Sequence, residues 1–110
     1  MIGDQLEMEM QDEGNKIRVI IKRPGDQYAN YKWIDNTLGA MQKIVGGYIE
    51  TVTVFEDLVI ICNEEGRLRG LEPNCEICGA DFVGPIILAG IKGEEFADVP
   101  DGAWMLVRTK

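Results

Sequence analysis

Histidine is absent from this 110-residue chain, and its absence excludes more chemistry than any motif present supplies. Neither a Ser-His nor a Cys-His nucleophile pair can be built, so general base work would fall to carboxylates or lysines. A structural zinc site usually draws four ligands from Cys and His, and here only three cysteines remain to supply them. Long apolar runs are missing too: nothing approaches the ~20 residues that a membrane span needs. The opening residues MIGDQLEMEMQDEG have no basic start followed by an apolar stretch, so a soluble, unsecreted, cytoplasmic protein is expected. No P-loop or G-x-G-x-x-G string occurs, the glycines mark turns, and no cofactor is expected.

What is present is the make-up of an ordinary globular domain, with 45% hydrophobic and 27% charged residues in a length that suits one folding unit. The net charge of −8 is unevenly spread. Residues 1–14 carry five acids and no base; residues 15–49 carry two acids against six bases. Residues 50–101 hold twelve acids against Arg67, Arg69 and Lys92. Solubility is the simplest reading of such a balance, but a basic half beside an acidic half also favours self-pairing, and a homodimer is expected.

Residues 1–14 show no sustained apolar periodicity and read as a mobile acidic tail, although Leu6, Met8 and Met10 alternate as in a short edge strand. Residues 15–110 read as a single α+β domain. KIRVIIKR, residues 16–23, predicts a strand stopped by Pro24-Gly25, and residues 31–34 a short aromatic strand paired with it. Asp35-Asn36-Thr37 offers helix caps, and Leu38, Met41, Ile44 and Val45 recur at helical spacing until Gly46-Gly47 stops them. Residues 48–55 alternate as a strand with one side under the helix, and residues 58–62 form an apolar run expected of a strand covered on both faces.

Asn63-Glu64-Glu65-Gly66 predicts a hairpin turn whose return arm is residues 67–71, with Glu72-Pro73-Asn74 turning again. Residues 82–91 read as a last strand interrupted at Gly84-Pro85. Asp98 can cap a terminal helix over residues 99–107, with a strand over 104–108 as the alternative. The expected architecture is therefore α+β: a small mixed, mostly antiparallel sheet of about five strands, with one or two helices packed on one face.

Cys75 and Cys78 have the C-x-x-C spacing of a zinc half-site or redox pair, and Cys62 ends an apolar strand. An isolated C-x-x-C in a loop is weak, so buried or idle thiols are the expectation and a metal site is not. Glu50 is the carboxylate to watch. It sits mid-strand between Ile49 and Thr51, where a covered face would demand a donor from the basic half.

The strings IVGGYIETV, VIICNEEGRLRGLEPN and DFVGPIILAG, in that order, resemble a family of small uncharacterised proteins, a domain of unknown function met chiefly in tailed phages and bacterial mobile elements. Its members similarly run a helix into a GGYIE strand, then a CNEEG turn and a VGP strand, and the resemblance covers about residues 16–98. It implies a fold and a genomic setting but no activity. Cys75-Glu76-Ile77-Cys78 lies where that family carries a variable stretch, which argues against a shared metal site.

The resulting expectation is a non-enzymatic accessory binding protein of a phage or mobile element, in the host cytoplasm, meeting a small ligand or a host defence component. Tyr31, Trp33 and Tyr48, with Arg18 or Lys32 for an anion and Glu50 beside them, are the candidate ligand-binding residues. The alternatives are an acidic DNA mimic, against which the basic segment argues, and a small enzyme. Direct contact with nucleic acid or membrane is not expected.

Overall fold

The computed structural model describes residues 15–107 and shows an α+β fold. Strand β1 (Lys16–Lys22) pairs antiparallel with β2 (Asn30–Asp35) around the Pro24-Gly25 turn, where the Asp26 N–H donates to the Arg23 carbonyl at 3.0 Å. Helix α1 (Leu38–Val45) starts at Thr37, whose hydroxyl accepts from the Ala40 N–H at 3.2 Å. It ends at Gly46, whose φ of 85° is the left-handed conformation that glycine adopts without strain. Met41 and Val45 bury the helical stripe, while Leu38 faces solvent.

Strands β3 (Ile49–Phe55) and β4 (Leu58–Asn63) follow as a hairpin. Then β5 (Pro73–Ile77) pairs with β6 (Ala80–Val83), and β7 (Ile86–Lys92) pairs with β1, β4 and the short β8 (Glu95–Ala97). The main sheet runs β2-β1-β7-β4-β3, with β8 extending along β7, and every pairing in it is antiparallel. The mixed pairing expected of the sheet does not arise among the described residues. Helix α1 carries the chain from one edge of the sheet to the other, so β2 and β3 point the same way without touching.

Both faces of the sheet are covered, and this is why β1, β4 and β7 read as apolar runs rather than alternations. Ile17, Val19, Ile21, Ile61 and Ile87 pack under Met41 and Val45 of α1. On the opposite face Ile20, Ile60, Ile86 and Leu88 pack under Ile77 and Phe82 of the β5–β6 hairpin and under Val99, Ala103 and Val107. Each fully buried Ile or Leu contributes ~1.5–3 kcal/mol relative to exposure, so this double layer supplies the stability.

The second layer corrects several expectations. Residues 67–71 are not a return arm: residues 64–70 wind through successive turns, with the Arg69 N–H on the Glu65 carbonyl and the Leu71 N–H on the Gly66 carbonyl. Residues 73–77, expected as turn and loop, form β5. The tight connection is Cys78-Gly79, with φ of 51° and 86°, the two positive values that a two-residue hairpin loop demands. Residues 82–91 are two strands in different sheets, separated by Gly84 at φ 72°. Asp98 caps no helix, because its Oδ1 accepts from the Arg18 N–H at 2.9 Å and clips the chain to β1. A single 3-10 turn, Ala103–Leu106, stands where a terminal helix or strand was expected. The expected acidic tail over residues 1–14, including Leu6, Met8 and Met10, lies outside the described residues.

Candidate functional site

Where the β5–β6 layer overhangs β3 and β4 it leaves a cleft of about 520 Å³. Glu50 pairs with Cys62 across the β3–β4 ladder and Val52 with Ile60, so strand alternation puts Glu50, Val52 and Cys62 on the face beneath the overhang. The other wall comes from the turn run and β6: Arg67, Leu68, Asp81 and Phe82. Arg67 fastens the two parts of that wall, its Nη2 donating to the Asp81 carbonyl at 2.6 Å. Gly66 permits the approach, since a Cβ there would stand 2.8 Å from Val83 Cγ2. Asn63, 6% exposed, anchors the turn: its Nδ2 donates to the Val45 carbonyl at 3.1 Å and its Oδ1 accepts from the Glu65 N–H at 2.8 Å.

The cleft is electrically divided. Burial pushes the Cys62 thiol up to about 11; the Glu50 carboxylate adds to that rise and the Arg67 guanidinium opposes it, so both charges act on one sulfur. Lys16–Asp35 at 2.6 Å is the one ion pair among the described residues, so neither Glu50 nor Arg67 is neutralised by a partner there. The lining sets one donor charge, Arg67, among the carboxylates of Glu50, Glu64 and Asp81, beside the apolar Val52 and Phe82.

The cysteines divide along the hairpin. Cys75 faces the core from β5, and burial raises its pKa against the opposing effect of Lys22. Cys78 is exposed in the Cys78-Gly79 loop. The C-x-x-C is thus split between a packed strand and an exposed turn, and a thiol kept protonated is a poor nucleophile and a poor ligand. The described residues contain no group of three or more Cys, Asp or Glu able to hold a metal ion. Under the same hairpin, Lys22 is only 4% exposed and its Nζ donates to the Arg23 carbonyl at 3.4 Å. Asn74 ties the layers together, its Nδ2 donating to the carbonyls of Lys22 at 2.9 Å and Gly84 at 2.7 Å.

The residues expected to bind a ligand fall into two groups. Arg18, Tyr31 and Trp33 share one face of the β1–β2 ladder, where the Arg18 guanidinium lies 4.1 Å from the Tyr31 ring centroid. Lys32 points to the other face. Glu50 lies on β3, at the opposite edge of the sheet, four strand spacings or roughly 19 Å from β2. Tyr48 precedes β3 and is 70% exposed. Of the six, Glu50 alone lines the cleft. Arg67, Asp81 and Phe82 were missed, since their proximity to Glu50 depends on how the second layer folds back. The readable signal was parity: Glu50 and Cys62 sit on the face left without the helix.

Residues 17–107 match a domain of unknown function, DUF3846. The chain belongs to this family. The match runs from β1 to the end of the 3-10 turn, so both layers and the cleft between them lie within the DUF3846 domain. Comparison with curated proteins and with solved structures found no match. No helix among the described residues is long and apolar enough to cross a membrane.

Proposed function

We propose that this DUF3846 protein is a non-enzymatic binding protein that holds a small zwitterionic ligand in the cleft between the sheet and the β5–β6 hairpin. The ligand's ammonium meets Glu50, its carboxylate meets Arg67, and its apolar part rests on Val52 and Phe82. One observation carries this reading: Arg67, the single base on a lining that also holds Glu50, Glu64 and Asp81, shares one cleft with Glu50, and neither has an ion-pair partner among the described residues. The volume, about 520 Å³, lies in the range of small-molecule sites. Cys62, the one thiol on the lining, stays protonated at neutral pH, which favours binding over thiolate chemistry. An accessory role in a phage or mobile element, exercised in the host cytoplasm, belongs to the same reading.

Native mass spectrometry of protein taken from host lysate tests it. The expected spectrum shows the chain plus a small-molecule increment, lost in Glu50→Gln and in Arg67→Ala. A bare chain in every preparation, or an increment that both variants keep, contradicts the reading. Exposed Glu64, Glu65, Glu72, Glu76 and Asp81 on the turn run and hairpin favour a second reading, an acidic mimic of nucleic acid. Capture of a nucleic-acid-binding host protein at low but not high salt would support that alternative.

A further inference from the structure

Among the described residues strand β3 is an edge of the sheet, with no strand on its free side. The Glu64 N–H donates to the Tyr48 carbonyl at 2.8 Å, which fixes the phase of the β3–β4 ladder. Tyr48, Glu50 and Val52 direct their backbone groups at β4, and Ile49, Thr51 and Thr53 direct theirs away from the molecule. The two edges of the sheet differ. β2 carries Lys32, whereas Ile49–Phe55 contains no lysine, arginine or proline and is rich in β-branched residues. Proteins that keep an edge single usually blunt it with lysine, proline or a bulge; from Ile49 to Thr53 the only charge is Glu50, whose backbone faces β4, and the irregularity comes only after Thr53.

We infer that β3 pairs antiparallel with β3 of a second copy of this chain about a two-fold axis. The register follows from two constraints. Side chains opposite one another must share a face, so residue numbers in each pair sum to an even value. The irregularity between Thr53 and Phe55 ends the regular ladder at Thr53, leaving Ile49 to Thr53 as the pairing segment, with Thr51 at its centre. Thr51 then faces Thr51, Ile49 faces Thr53, and Glu50 faces Val52 of the second copy. The three outward residues of each copy supply ~6 interchain backbone hydrogen bonds. Like charges do not meet, and threonine and β-branched pairs suit the face of a sheet. The two sheets merge into one, with β3 at its centre, and the isologous contact closes on itself.

The pairing also bears on the cleft. Val52 of the second copy lies beside Glu50, at the open β3 side of the cavity, so two clefts stand back to back across the axis. The inference rests on the strand edge and not on any ligand, so it stands or falls separately from the binding reading.

Light scattering over a concentration series tests it with the full chain and two variants. Thr51→Pro removes an N–H that faces away from β4, so the β3–β4 ladder keeps its bonds, while Thr51→Lys leaves the backbone intact and adds an edge charge. The expected result is twice the 12.3 kDa chain mass for the parent and the single-chain mass for both variants, with unchanged circular dichroism. Should Thr51→Pro unfold, Thr51→Lys decides alone. A parent that stays at 12.3 kDa throughout overturns the inference, as does a folded Thr51→Lys variant that remains double.

Discussion

Replacing Asn63 with alanine should be one of the costlier polar truncations in this domain. The side chain ends β4, is 6% exposed, and makes two hydrogen bonds to groups that have no other partner among the described residues. Its Nδ2 serves the Val45 carbonyl, one of the last carbonyls of α1, which the helix itself cannot satisfy. Its Oδ1 holds the Glu65 N–H and so starts the turn run that forms the cleft wall. Each orphaned buried group costs ~1–3 kcal/mol, and the Glu65 bond is partly exposed, so the combined loss is about 2–4 kcal/mol. Against a total of ~5–15 kcal/mol for such a domain this is a large fraction, a fall of roughly 10 °C or more in Tm. Urea denaturation followed by far-ultraviolet circular dichroism measures it directly. Asn63→Asp retains an acceptor for Glu65 but sets a carboxylate oxygen against the Val45 carbonyl, so it too should lose the helix bond. A loss below ~0.5 kcal/mol in the alanine variant would refute the reasoning, because the two orphaned groups would then have found water at no cost.

Other outcomes follow from the same geometry. Because the Cys62 pKa is raised on folding, from 9.0 to about 11, its contribution is fully present below pH 9 and is lost as pH climbs to about 11. Over that window the parent should lose up to ~2 kcal/mol, lessened by solvent reaching the cleft, and Cys62→Val should flatten that part of the curve; equal slopes contradict it. With Ellman's reagent at neutral pH one thiol, Cys78, should react at once, and Cys62 and Cys75 only slowly or after unfolding. Gly90→Ala should destabilise by ~3 kcal/mol or more in thermal unfolding, since a Cβ there overlaps the Asp98 backbone carbonyl where the chain crosses β7.

Much of the main sheet was legible because local physics decides it. The KIRVIIK strand, the Thr37 and Gly46 caps and the continuous apolar run of β4 each follow from propensity, capping or burial on two faces. The second layer was not legible, and the reasons are specific. Asn63-Glu64-Glu65-Gly66 does turn, but Asn63 spends its side chain on Val45 and Glu65, so the chain leaves the sheet instead of returning along β4. The Cys78-Gly79 hairpin was hidden by a cysteine at a positive φ, a conformation more often taken by Asn or Gly. Gly84-Pro85 looked like a bulge and is a passage between sheets. The candidate site failed to assemble for a related reason: Tyr31 and Glu50 are nineteen residues apart in the chain, but α1 spans the whole sheet between their strands. Arg67 reaches Glu50's cleft only because the turn run folds over the edge.

The most direct test of the cleft is a two-dimensional ¹H–¹⁵N titration of the full chain with free L-phenylalanine and L-leucine, zwitterions carrying the charges and apolar group that Glu50, Arg67 and Val52 would meet. Saturable shifts confined to residues 50–52, 62–68 and 79–83, and abolished by Glu50→Gln, are the result expected. Shifts that gather instead around Tyr31 and Trp33 at the other sheet edge, or no shifts with either probe, would contradict the account.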